Sequence, residues 1–184
     1  IEPGSSLVPV NQNPVILLPI AALIITGGIG FIVWDDIALR KFREKRFPLH
    51  TKLTLLTTAI LLIGGTVLFY IFERDNTFAG MTEWQKILNA FFASVTPRTA
   101  GFNSVPVAQM ATESEVVTDI LMFIGGSPGS TAGGIKTATV AVMFLCTFAT
   151  LKNSKDIEVF GKRISVDVTR KATSIFIINL MEIF

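Results

Sequence analysis

The 184-residue sequence predicts an all-α membrane protein with one short re-entrant helix and one longer helix broken in its middle. Three observations carry that expectation. Residues 15–34 and 53–72 form two runs without Asp, Glu, Lys or Arg. Each can cross a hydrocarbon core of ~30 Å, which takes about 20 helical residues. A third apolar region, residues 116–151, is interrupted by "IGGSPGSTAGGIKT" at 124–137. Composition agrees, with mean hydropathy +0.58 and 16% charged residues against ~25% in soluble domains.

The placement of charge gives an orientation. Arg40, Lys41, Arg43, Lys45, Arg46 and Lys52 form one basic cluster, and Lys152, Lys155, Lys162, Arg163, Arg170 and Lys171 form a second. Together they hold 12 of the 16 basic residues, so the positive-inside rule makes both loops cytoplasmic. Flanking membrane spans, the clusters are explained by topology, and no nucleic acid is expected as a partner. Neither apolar run has the short core and cleavage site of a signal peptide.

Taken in order, the first span (15–34) runs inward, with Pro19 near its outer end. Gly27, Gly28 and Gly30 in its inner half suggest close packing against another helix. Past Pro48, with Thr51 as a possible N-cap, the second span (53–72) returns outward. Gly64 and Gly65 offer it a tight contact point. "ERDNTFAGM" forms a polar outer loop. "EWQKILNAFFASV", Glu83–Val95, is an amphipathic helix with Thr82 as N-cap, too short to span, and it ends before Pro97. "TESEVVTD" starts the next helix, where Glu113, Glu115 and Asp119 cap its N-terminus or concentrate cations at an outer mouth, the cap being favoured.

Two constellations carry chemistry. In "TAGFN" (Thr99, Ala100, Gly101, Phe102, Asn103), a short helix leads into an extended segment with glycine at its centre. Gly101 can take dihedrals closed to other residues and turn carbonyls toward an axis, and carbonyl rings replace the hydration shell of a monovalent ion. A surface turn accounts for the same residues, because Pro, Gly and Asn are ordinary turn formers. The second constellation is the broken helix. Gly125, Gly126, Gly129, Gly133 and Gly134 each disfavour helix by ~1 kcal/mol and Pro128 by ~3 kcal/mol, so the break needs shelter from lipid. Ser127, Ser130 and Thr131 can hold such a loop together by hydrogen bonds, and Lys136 is a rare charge at membrane depth. The stretch approximates a phosphate-binding loop, but Ile135 intervenes between Gly134 and Lys136 and no strand precedes it.

With both stretches in hand, the chain resembles the Trk/Ktr/HKT family of potassium transporters, in particular the Ktr membrane subunit. "SVTPRTAGFNS" resembles a filter segment of that family, and "GGSPGSTAGGIKT" is similar to its intramembrane loop. The resemblance implies a helix–pore helix–helix repeat with a re-entrant filter loop and a broken pore-lining helix. Residues 1–52 would close repeat two, 53–151 would form repeat three, and 152–184 would be a cytoplasmic linker and the start of repeat four. It implies a filter strand at Thr99, Ala100, Gly101, Phe102 and Asn103, with potassium at Thr99, Ala100 and Gly101. The gating loop would comprise Gly125, Gly126, Ser127, Pro128, Gly129, Ser130, Thr131, Ala132, Gly133 and Gly134, with Lys136 beside it. It further implies a multi-pass plasma-membrane protein, a homodimer, a cytoplasmic nucleotide-binding ring as regulator, and sodium as a coupling or activating ion. The basic loops, 152–171 above all, either dock the ring or only obey the positive-inside rule, and the latter is favoured.

Other classes fit less of the chain. No paired carboxylates, Ser–His pair or metal-ligand cluster suggests an enzyme, and no cofactor is expected. Cys146 and His50 read as structural. A secondary transporter with a substrate at a discontinuous helix leaves the re-entrant segment unexplained, and a membrane anchor leaves both breaks unexplained. The start at Ile1 and the stop at Phe184, ten residues into an apolar run, suggest a segment of a longer chain.

Overall fold

A computed structural model describes residues 6–40, 47–152, 158–159, 162–163 and 166–181. Of the basic clusters, Lys41, Arg43, Lys45, Arg46 and Lys155 lie outside these residues. The fold is helical: α1 (Pro14–Ile29), α2 (Phe31–Arg40), α3 (Leu49–Glu73), α4 (Glu83–Val95), α5 (Thr112–Phe123), α6 (Thr137–Leu151) and α7 (Val166–Met181). The expectation of helix alone needs one small correction, because Glu158–Val159 pairs antiparallel with Lys162–Arg163 as β1 and β2.

One described helix, α3, is long and apolar enough to cross a membrane. Its 25 residues reach ~38 Å at 1.5 Å each. Its outward face carries Leu56, Ile60, Ile63, Val67 and Ile71, all exposed, whereas its buried face carries Thr51, Thr54, Thr58 and Gly65 together with Leu53, Phe69 and Glu73. An aliphatic outer face with small and hydroxylic residues at the helix contacts is the pattern that lipid selects. The helix starts at Leu49 after Pro48, so Thr51 is not its cap. The Thr51 hydroxyl instead donates to Asp36 Oδ2 and ties α3 to α2.

Helix α4 has the predicted ends because local chemistry punctuates both. Thr82 and Gln85 form a reciprocal capping box, the Gln85 side chain accepting from Thr82 N at 3.0 Å, and Pro97 follows its C-terminus. It is wedged between α1 and α3. Leu88, Phe92 and Val95 pack on Leu17 and Ala21 of α1, while Ala90 joins Phe69, Phe78, Val105 and Leu121. Gly65 makes the expected close contact, since a methyl there would meet Ser94 Oγ, and that hydroxyl donates to Leu62 O at 2.9 Å. Gly64 makes no such contact.

Two loops converge on Glu73. Its buried carboxylate accepts from Asn76 Nδ2 (2.9 Å), Thr77 Oγ1 (2.7 Å) and Ala111 N (2.8 Å), which ties the 74–82 loop to the start of α5. Glu113 and Glu115 then occupy the first turn of α5, as a favourable pairing with its dipole requires. Toward the end of the chain, α7 packs along α6 and meets α5 through an edge-to-face contact of Phe176 with Phe123 (6.0 Å).

The first apolar run is not one straight span. The chain bends by 93° between α1 and α2 at Gly30, where φ is +87°, so α1 alone contributes 16 residues, or ~24 Å. The cause is tertiary. Gly27, Gly28 and Gly30 pack against the 124–136 loop rather than against another helix, and the chain turns to receive it.

Candidate functional site

The "TAGFN" segment hangs from the C-terminus of α4. It is not extended throughout, as the sequence suggested: residues 96–100 continue α4 as tight turns, and only residues 101–103 run free of them. Thr99 (φ +59°) and Gly101 (φ +73°) both adopt left-handed backbone, which redirects successive carbonyls. Thr99, Gly101 and Phe102 are exposed, Ala100 and Asn103 half-buried. No atom lies within 4 Å of a Cβ built on Gly101, so a side chain there would project into open space. The segment is pinned at both ends. Ala100 N donates to Thr96 O at 3.2 Å, Asn103 N to Ser6 Oγ at 2.9 Å, and Leu7 N to Asn103 O at 3.0 Å. Thr96 Oγ1 donates to Phe102 O.

The interruption between α5 and α6 is an ordered loop. Ile124 and Ile135 form a parallel bridge at its neck, with Ile135 N donating to Phe123 O at 2.9 Å, and Thr137 N donates to Gly126 O at 3.0 Å. A Cβ on Gly125 would overlap the Gly133 carbonyl, so the strands of the neck can approach only without side chains. Gly125, Gly126, Ser127, Ala132 and Ile135 are buried, whereas Gly129, Thr131, Gly133 and Gly134 are exposed. Ser130 N donates to Ser127 O at 3.0 Å, and Ser130 Oγ accepts from Ala132 N at 3.3 Å. Lys136 donates from Nζ to Ala132 O at 2.7 Å, so its charge closes the loop on itself.

The fold brings the two constellations together. A Cβ on Gly133 would stand 3.6 Å from Thr99 Cγ2, so the loop lies beside the first residue of "TAGFN" with about the room of one methyl group between them. Next to Thr99, Arg98 turns the other way. It is buried, donates from Nη2 to Thr58 O of α3 at 3.3 Å, and has no partner for Nη1 among the described residues. Sequence reading passed over this arginine, although a charge between α4 and "TAGFN" was a signal for it.

Comparison with known proteins gives these features a context. The family model for TrkH, a cation transport protein, matches residues 2–183. The chain belongs to the TrkH family. It is 43% identical over 178 residues to the potassium/sodium uptake protein NtpJ of Enterococcus hirae, covering 96% of this chain and 39% of that protein. It is 36% identical to the Ktr system potassium uptake protein B of Vibrio alginolyticus, over 96% of this chain and 39% of the relative. The Bacillus subtilis protein of the same description is 37% identical, over 98% of this chain and 42% of its own length. The chain thus spans about two fifths of these relatives. TrkH membership and the lipid-adapted α3 make it a membrane protein of a cation-transport family.

Proposed function

We propose that this chain forms part of a potassium uptake pathway across the cell membrane, with a carbonyl-lined filter gated by an intramembrane loop. The nearness of Gly133 to Thr99 supports this reading, because it sets the loop beside the left-handed turns of "TAGFN". Thr99, Ala100, Gly101, Phe102 and Asn103 supply the filter strand, with potassium as substrate at the carbonyls of Thr99, Ala100 and Gly101. Helix α4 serves as the pore helix and directs the negative end of its dipole at the ions. Residues 125–134 form the gate, and Lys136 holds its shape. Relatives named for potassium or potassium/sodium uptake support this substrate class, with sodium as a coupling or activating ion.

The same reading divides the chain into the end of repeat two (1–52), repeat three (53–151) and a linker with the start of repeat four (152–184). The basic loops face the cytoplasm, the full-length subunit forms a homodimer, and a nucleotide-binding ring regulates it. A pathway of this kind needs filter strands from further repeats. A transporter's binding site at a discontinuous helix is the rival reading, and the two broken helices favour it at first sight. Against it, Gly27 O, Gly28 O and Phe31 N, freed by the α1–α2 bend, are taken up by the loop and are not available to a substrate.

Deleting residues 126–133 from the full-length protein tests the gate. Potassium flux into liposomes rises on this account. Unchanged flux in a folded deletion variant removes the gate.

A further inference from the structure

We infer that residues 27–30, at the C-terminal end of α1, are the seat on which the 124–136 loop rests when closed, with Gly30 as its positioning residue. This rests on the gating role proposed above. A helix leaves its last four carbonyls and first four N–H groups without internal partners. The bend at Gly30 creates both kinds of orphan in the middle of the molecule. Gly28 O accepts from Ser127 N at 2.9 Å, and Gly27 O accepts from Thr131 N at 3.4 Å. In return, Phe31 N, at the start of α2, donates to Gly129 O at 3.1 Å. Thr26 O accepts from the Trp34 indole at 2.9 Å across the same bend.

The two broken helices therefore complete each other. Each supplies the backbone partners that the other lost, at a depth where an unpaired group is strongly disfavoured. Steric fit agrees. A Cβ on Gly30 would stand 2.8 Å from Pro128 O and 3.2 Å from Gly129 C and Ser130 N, and φ of +87° disfavours any side chain there. The loop can leave the path only by giving up these bonds, so the α1–α2 bend sets how firmly the gate is held.

A cross-link tests this without disturbing the seat. A Cβ on Gly27 would lie 3.2 Å from Thr131 Oγ1, a spacing that a cysteine pair with an S–S bond of ~2.05 Å can close. Gly27→Cys with Thr131→Cys, in the full-length protein carrying Cys146→Ser, should oxidise readily. Potassium flux should then fall at least tenfold and recover on reduction, while the single-cysteine variants do not respond. Gly30→Ala should raise flux severalfold in the parent and add nothing in the 126–133 deletion. If deletion raises flux but the oxidised pair conducts like the reduced one, the seat is wrong and the gate stands. The seat is equally overturned if no cross-link forms, or if Gly30→Ala adds to the deletion. If deletion leaves flux unchanged, the gate itself fails and takes the seat with it.

Discussion

Replacing Glu73 with alanine should be among the most destabilising changes available outside the helical core. Its carboxylate is fully buried and accepts from Asn76 Nδ2, Thr77 Oγ1, Ala111 N and, at 3.3 Å, Thr77 N. Hydrogen bonds to a charged group contribute ~1.5–3 kcal/mol each, so four give a nominal ~6–12 kcal/mol. Two corrections reduce that figure. Burying the carboxylate itself costs several kcal/mol, which the variant recovers. Asn76 is exposed, so its amide can turn to water. What remains is the loss at Ala111 N and Thr77, together with the cavity, a net of about 3 kcal/mol. Since ~1.4 kcal/mol is a factor of ten, the folded population should fall more than a hundredfold relative to the unfolded. Glu73→Gln keeps one acceptor oxygen but turns donors toward donors, and should lose about 2 kcal/mol. Denaturant unfolding in detergent micelles, followed alongside protease cleavage of the 74–82 loop, reads both effects. A Glu73→Ala protein within ~0.5 kcal/mol of the parent, with the loop equally resistant, would refute the claim that this carboxylate organises this end of α3.

Further outcomes follow from the same contacts. Gly65→Ala should destabilise by ~1–3 kcal/mol, because its methyl meets Ser94 Oγ and Leu121 Cδ1. Gly64→Ala, with nothing within 4 Å of its Cβ, should be neutral or stabilise by up to ~1 kcal/mol; unfolding midpoints of the pair check the opposite signs. Thr82→Ala should lose about 1 kcal/mol through the capping box of α4, read by the same unfolding assay. Gly125→Ala forces the neck of the loop apart at the Gly133 carbonyl. Potassium flux should rise severalfold in that variant, and a flux equal to the parent's would contradict the sealed neck.

What the sequence made legible was whatever its local chemistry punctuates. Thr82 and Pro97 bracket α4, and both of its ends lie where those residues predict. The glycines and Pro128 marked the interruption at 124–136 between α5 and α6. Lys52 suggested an end for the second span, but one lysine in a first turn does not break a helix, and α3 begins at Leu49. The bend at Gly30 was hidden because "GGIG" reads equally as a packing surface and as a break. What decides it is a loop about a hundred residues later, whose Ser127 and Thr131 amides need carbonyl partners. Arg98 was hidden for a similar reason. Beside Pro97 in a turn it looks solvent-facing, and only the approach of Thr58 on α3 buries it. Thr99 and Gly101 illustrate the middle case: the glycine announced unusual backbone, but the left-handed threonine had no local signal.

The central claim is that "TAGFN" lines a cation path, and Gly101 is where it can be tested most directly. A side chain there meets no atom of this chain, yet it must tolerate φ of +73° and project from the exposed face of the turn. Potassium and sodium flux into liposomes should be compared for the full-length protein and its Gly101→Ser variant. The account predicts that the variant, folded and inserted, loses much of its preference for potassium. Equal flux and equal selectivity in the two proteins would contradict it and make the segment a surface turn.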